Sequence, residues 1–278
     1  MKNRINGLIF CFSLMVLISC GNEGERSNEN NNETKEVKGS QPEMMAMEKN
    51  GIKITELKDS PAFPNATLTL NEPTDLSKLN TGKNRFVFKV ENYELGAMTH
   101  SEVAEHAANS HQGQHIHWIL NNEPYTAHYE PVIEKDLQEG KHLLLAFLSR
   151  SYHESIKNNT AYVLTQLNVG QDSGQPDFKQ NDPHLFYSRP KGEYTAAEME
   201  NLLLDFYLLN ADLSQNGNKV KVWIDDTEFV LTQWKPYLVQ GLQPGDHIFR
   251  IQLIDENNNP VPGPFNDSGD RKITLKQQ

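Results

Sequence analysis

Cysteine is almost absent from these 278 residues: there are two, Cys11 and Cys20, both within the first twenty positions. The chain beyond them has no thiol for a disulfide, a thiolate metal site or a cysteine nucleophile. Long apolar runs are missing too. The longest, Leu8 to Ile18, has eleven residues, whereas a helix that spans a bilayer needs about 20. Positive charge is in deficit, with 26 Lys and Arg against 37 Asp and Glu, a net charge of −11. A surface of that sign repels polyphosphate, and no concentrated basic patch interrupts it, so nucleic acid is excluded as a partner. Paired carboxylates, a phosphate-binding glycine loop and a cofactor fingerprint are all lacking. The chain therefore reads as a non-enzyme with no catalytic residue.

What is present starts at the N-terminus. Lys2 and Arg4 precede the apolar run, which ends in Leu17-Ile18-Ser19-Cys20. A cationic start, a short apolar stretch and small residues before a cysteine form a signal peptide ending in a lipobox, so residues 1–19 are expected to be removed and Cys20 to carry lipid. Several acyl chains anchor durably, at about 0.8 kcal/mol per buried methylene. Gly21 stands where an Asp would retain a lipoprotein at the inner membrane, so the expected location is the outer membrane, on its periplasmic face or at the cell surface. Losing Lys2 and Arg4 moves the net charge from −11 to −13. Residues 20–50 are rich in Asn, Glu, Lys and Ser without apolar periodicity, and are expected to form a disordered tether. Their one apolar knot, Met44, Met45 and Met47, reads as a patch that docks on the first domain, or alternatively as a soft ligand set for Cu(I).

The rest of the chain repeats itself. Phe88, Asn92 and Leu95 match Phe206, Asn210 and Leu213 at equal offsets. Further on, Gly113 lies over Gly217, Pro131 over Pro236, Leu137 over Leu242, Gly140 over Gly245 and His142 over His247, and upstream Pro73 lies over Pro190. One domain has been copied, giving domains at 51–170 and 181–278. Each copy consists of short alternating runs separated by turn residues, as in Val220, Val222, Ile224 and their twins Ile116, Trp118, Leu120. The expected fold is all-β: two tandem immunoglobulin-like antiparallel β-sandwiches. Short helices are allowed at Ser101 to Ala108 and Ala196 to Leu204, the latter reading better as the start of a strand. His142 and His247 precede inward-facing strands in both copies and are expected to make structural hydrogen bonds.

Differences between the copies carry the functional information. The first copy has 14 extra residues between Leu95 and Gly113, where the second needs only Leu213 to Gly217. They hold His100, His106 and His111, and His115 and His117 follow where the second copy has Lys219 and Lys221. Val220 and Val222 must face a core, so the lysines, and by the repeat the two histidines, face outward. Imidazoles at i, i+2 on a strand stand roughly 6 to 7 Å apart, close enough to share Cu²⁺ or Zn²⁺ if the loop supplies further ligands. The competing reading is a solvated or partner-contacting loop. A second departure is Ser149 to Ser155, where Arg150 offers a planar fork to an anion, Tyr152 a stacking face and His153 a further polar group. An internal Arg150–Glu154 pair is the alternative. Leu143, Leu145 and Phe147 are apolar on the outer face, where the second copy has Ile248, Arg250 and Gln252, so that face is expected to pack on the second domain or on a partner.

Three stretches carry a resemblance: Gln114-His115-Ile116-His117 with Asn121-Asn122-Glu123-Pro124-Tyr125; Ala146-Phe147-Leu148-Ser149-Arg150-Ser151-Tyr152-His153-Glu154-Ser155; and His184 to Tyr194. Together with the lipobox they resemble a family of Gram-negative envelope lipoproteins with tandem immunoglobulin-like domains, over essentially the whole mature chain. The resemblance implies that architecture, and for some members a phosphopeptide-binding label, for which the available cations are Arg150, Arg189 and Lys191. The leading expectation is a lipid-anchored, non-catalytic binding or assembly module of the envelope, with an envelope protein or glycan as partner. The alternatives are Cu or Zn binding through His100, His106, His111, His115 and His117, and anionic-ligand binding through Arg150, Tyr152, His153, Arg189 and Lys191.

Overall fold

The computed structural model describes residues 46–171 and 179–277, apart from the side chains of Val103 and His106. Cys20 and the signal segment lie outside the described residues, as do Met44 and Met45. Among the described residues no helix is long and apolar enough to cross a membrane. The chain enters through a hairpin, β1 (Ala46–Lys49) and β2 (Ile52–Glu56), turned at Asn50 and Gly51. Both turn residues have positive φ, as a two-residue hairpin turn requires.

The first sandwich has β3 (Thr67–Glu72), β4 (Gly82–Glu91), β5 (His115–Leu120), β6 (Thr126–His128), β7 (Val132–Leu137), β8 (Gly140–Ser149) and β9 (Tyr162–Val169), with the short helix α1 (Glu102–His106) between β4 and β5. Its sheets run β3-β4-β7 and β6-β5-β8-β9. The second has β10 (His184–Arg189), β11 (Gly192–Tyr194), β12 (Leu202–Leu209), β13 (Lys219–Ile224), β14 (Thr227–Leu231), β15 (Tyr237–Gln240), β16 (Gly245–Ile254) and β17 (Arg271–Leu275). There β10-β12-β15 form one sheet and β17-β16-β13-β14 the other, with β11 added in parallel to β17. Strand for strand the two halves share one topology, as the repeat predicts. A 3-10 turn at Glu198–Asn201 leads into β12, so the segment at Ala196 to Leu204 does begin a strand.

One boundary differs from the sequence reading. Residues 46–49, assigned to the tether, form β1, and β2, assigned to the first domain, pairs antiparallel with β15 of the second sandwich, Ile54 opposite Val239. Ile52 and Ile54 join the second core, and Met47 packs against it. Alternation reveals a strand and its apolar face, but not which distant sheet edge receives it.

Each sandwich buries its own core. Phe86, Phe88, Ile116, Trp118, Leu144, Ala146 and Leu148 meet in the first, and Leu204, Phe206, Val220, Val222, Phe249 and Ile251 in the second. A further apolar layer joins them. Ile119, Leu143, Leu145 and Phe147, on the outer face of β5 and β8, pack against Phe186, Tyr207 and Leu209 on the outer face of β10 and β12. The Phe147 and Tyr207 rings stack with centroids 4.7 Å apart. Burial of both faces explains why every residue of β12 is buried and why that strand is apolar throughout except for Asp205. The apolar outer face is thus covered within the chain.

Asn122 pins this layer. It sits with Asn121 in the β5–β6 turn, both with positive φ. Its amide donates to the carbonyls of Leu185 (3.2 Å) and Phe265 (3.0 Å), and its side-chain oxygen accepts from Tyr187 N (2.9 Å). His142 and His247 do repeat one anchoring scheme: each ring bonds a carbonyl four residues earlier, Gln138 or Gln243, and the matching turn residue, Asn121 or Asp225.

Candidate metal centre

β5 alternates two environments. Ile116 and Trp118 enter the first core, so His115 and His117 project from the opposite face, as the lysine twins predict. That face lies under the second sandwich, and both imidazoles are completely buried. Solvation, the bland expectation for them, is therefore corrected: the sheet that covers Phe147 covers them as well.

The third imidazole comes from the β8–β9 connection. His153 holds a left-handed backbone, φ 70°, in a turn closed by His153 N donating to Arg150 O (2.9 Å) and Arg150 N donating to Glu154 O (2.9 Å). The Arg150 guanidinium builds this turn. It donates to Glu154 Oε1 (2.9 Å), Ser155 O (3.2 Å) and, through Nε and Nη2, Pro61 O (3.1 and 2.5 Å). Arg150 is 6% exposed and Tyr152 1%. Neither is presented to an external anion or ring, so both drop out of the ligand-binding set and become the supports that aim His153. Asp205 of β12 fixes the turn from the other sandwich, accepting from Ser155 N, Ser155 Oγ and Lys157 Nζ.

Three nitrogens converge. His115 Nε2 lies 2.9 Å from His117 Nε2 and 3.1 Å from His153 Nδ1, and the ligand atoms of all three residues lie within 4.8 Å of one another. They form a potential metal-holding group among the described residues. His115 Nδ1 donates to the carbonyl of Gly113 (2.7 Å), which leaves Nε2 as a bare lone pair pointing into the cluster. Gly113 has φ 82°, and a Cβ there would come within 2.3 Å of Gly96 O, so the anchor requires glycine. His117 Nδ1 shares a 3.3 Å hydrogen bond with Ser188 Oγ of the second sandwich. The Ser188 hydroxyl can donate or accept. It can thus satisfy His117 in an empty site, with His117 Nε2–H donated to His115, or free both Nε2 lone pairs for an ion.

The rings are held neutral. Burial pushes His115 down to about 4, opposed by the bond to Gly113 and aided by the Arg189 charge. Burial also drives His117 well below the ordinary imidazole value, with His115, His153, Arg189 and Lys191 adding to it. His153 is lowered in the same way, by burial first and Arg189 next. Neutral imidazole is the metal-binding form.

Aromatic and cationic groups enclose the cluster. Tyr125 stacks on His117 at 3.7 Å with planes 9° apart, and Tyr129 lies 5.1 Å from the His115 ring. Lys191 Nζ donates to Tyr125 O (2.5 Å) and sits 4.3 Å from the Tyr125 ring centre. Arg189 donates to Lys191 O and Tyr194 Oη and lies 5.8 Å from the Tyr125 ring. Arg189 and Lys191 thus reach the same site as the histidines, although the sequence assigned them to a separate anion-binding group. A cavity of about 160 Å³ opens beside Ser188 and Lys191.

The 14-residue insertion packs beside the centre. His100 and His111 are exposed and do not belong to the cluster, and the side chain of His106 lies outside the described residues. Instead Ala104 and Ala107 pack against Tyr152 and Leu203, Asn109 accepts from Ser151 Oγ (2.9 Å), and Ser110 shares a 2.6 Å hydrogen bond with Tyr129. Among the described residues the cluster takes His115 and His117 from the strand and His153 from the Ser149 to Ser155 turn, in place of His100 and His111. The sequence already singled out that turn as a departure, but gave no sign that it folds back over β5. Tyr125 and Ser188 both lie in stretches that carry the resemblance, but nothing local joins either of them to the histidines before the sandwiches pack.

No family model matches the chain. No curated protein matches it either. Solved structures similar to it include the fibronectin(III)-like modules of Clostridium thermocellum CbhA, at 14% identity over 76% of this chain and 95% of that one with a TM-score of 0.27. Another is SGBP-B of the Bacteroides ovatus mixed-linkage glucan utilization locus in complex with a mixed-linkage heptasaccharide, at 13% identity over 76% of this chain and 48% of that one, TM-score 0.23. The tandem V-type regions of VCBP3 match at 8% identity over 76% and 99%, TM-score 0.21. The immunoglobulin-like assignment rests on the strand order and pairing described above.

Proposed function

We propose that this protein is an outer-membrane lipoprotein, anchored through Cys20, whose paired sandwiches bind a transition-metal ion, copper or zinc, through His115, His117 and His153. It acts as a binding module of the envelope, not as an enzyme. The observation that carries this reading is the convergence of three buried, neutral imidazoles, with the Nε2 lone pair of His115 freed by a bond to a backbone carbonyl. Such outer-shell bonds set ring tautomer and orientation in metal sites. The lipobox and the resemblance to envelope lipoproteins support the location. The anionic-ligand alternative loses support because the Arg150 fork is spent on Glu154, Ser155 and Pro61. Partner binding through the apolar outer face loses support because β10 and β12 cover that face.

Calorimetric titration of the full mature chain with Cu²⁺ and Zn²⁺ tests the reading. One ion per chain is expected at about 1 μM or tighter, which corresponds to roughly −8 kcal/mol. His115→Ala and His153→Ala should each abolish it, whereas His100→Ala and His111→Ala should not change it. Binding that is absent, or that survives loss of His115, refutes the proposal. For the anchor, Cys20→Ala should move the protein from the membrane to the soluble fraction.

A further inference from the structure

We infer that Tyr125 is the fourth ligand of this centre and that the ion it selects is Cu²⁺, a deepening that rests on the metal-binding reading above. Tyr125 precedes β6 and is 4% exposed. Its ring is fixed flat against His117, and its Oη stands 3.3 Å from His153 Nδ1, the same nitrogen that lies 3.1 Å from His115 Nε2. Ligand bonds of about 2.0 Å place neighbouring donor atoms about 2.8 Å apart in the square-planar arrangement that Cu²⁺ prefers and about 3.3 Å apart in a tetrahedron. The His115–His117, His115–His153 and Tyr125–His153 separations, 2.9, 3.1 and 3.3 Å, span that range. The His115–His117 pair already fits the planar edge, and Tyr125 Oη closes on it by a few tenths of an ångström as the ion binds.

Charge points the same way. Three neutral imidazoles contribute no negative charge, and the two nearest cations, Arg189 and Lys191, form no carboxylate ion pair among the described residues. A divalent ion held by imidazole alone would add two positive charges beside a buried guanidinium, an expensive arrangement in a low dielectric. A Tyr125 phenolate removes one of those charges, and Arg189 and Lys191 both lie against its ring. These cation–π contacts favour even the neutral ring, and a phenolate oxygen on it would add a direct charge attraction to both cations. As the ion binds, the phenol O–H bond breaks, its electron pair forms the O–metal bond, the proton leaves to solvent, and no electron is transferred. Cu²⁺ heads the stability order for nitrogen and oxygen donors, and an anionic oxygen disfavours the softer Cu⁺.

Visible absorption of the full mature chain loaded with Cu²⁺ gives the test. The wild type should show a phenolate-to-copper charge-transfer band. Tyr125→Phe, which keeps the stacked ring and removes only the hydroxyl, should still bind one Cu²⁺ through the histidines, with affinity at least about tenfold weaker, and should lack the band. Resonance Raman on the wild type alone should show phenolate modes when excited in that band. Copper bound without the band, or a band that persists in Tyr125→Phe, overturns Tyr125 ligation and leaves the three-histidine reading standing. Failure of the wild type to bind Cu²⁺ refutes the histidine site itself, and this inference with it. Tighter binding of Zn²⁺ than of Cu²⁺ overturns the selection of copper.

Discussion

Acidifying the metal-free protein should destabilise it through His115. The unfolded imidazole titrates near 6.5, and burial lowers the folded one to about 4. Between those values the unfolded chain binds a proton that the folded chain refuses, so folding stability is complete above the unfolded value and is lost as the pH falls toward the folded one. At about pH 5 the deficit is roughly 1.5 pH units at about 1.4 kcal/mol each, near 2 kcal/mol from this ring alone. That is a large part of a typical stability of about 5 to 15 kcal/mol. Burial lowers His117 and His153 as well, and they act in the same direction. Urea unfolding of the metal-free wild type and of His115→Gln, at about pH 7.5, 6 and 5, tests the effect, because the comparison cancels the titrating groups that lie away from this cluster. The wild type should lose about 2 kcal/mol more than the variant over that range. Equal losses would mean that the ring is hydrated in solution, and the buried centre would have to be abandoned.

Four further outcomes are expected. Phe147→Ala empties a fully buried position between the sandwiches and should cost about 3 to 5 kcal/mol in urea unfolding. Arg150→Met strands the Glu154 carboxylate, 4% exposed, and should cost about 3 to 5 kcal/mol. The double variant with Glu154→Met should recover much of that loss. Asn122→Ala removes the acceptor of the buried Tyr187 amide, at about 1 to 3 kcal/mol, and hydrogen exchange at Tyr187 should accelerate. Gly113→Ala should weaken metal binding even though no ligand is touched, because the carbonyl that orients His115 must move.

Much of the architecture was legible because it is periodic. Val220 and Val222 fixed a core face, and their repeat partners Ile116 and Trp118 then fixed the direction of His115 and His117 without coordinates. The duplicated anchors of His142 and His247 were legible for the same reason, since equal offsets carry equal local geometry. Periodicity has no term for what lies across a gap. It assigned Ile52 and Ile54 to the nearer domain, whereas backbone pairing placed them on the free edge of β15. It left Arg150 between an outward fork and an internal pair with Glu154, and the folded turn takes the internal pair, closing on Glu154 and Pro61.

From its residues alone this chain could specify two copies of one sandwich, the face on which each strand carries its polar groups, and a lipid-bearing cysteine as the expectation for its start. Only the packing of β5 and β8 against β10 and β12 turned two outward histidines into buried, neutral ones, and only the Arg150 turn delivered His153 to meet them. The reason is physical: side-chain direction is set within a few residues by the pleat, but burial and the meeting of distant donors depend on contacts between segments that no local pattern encodes.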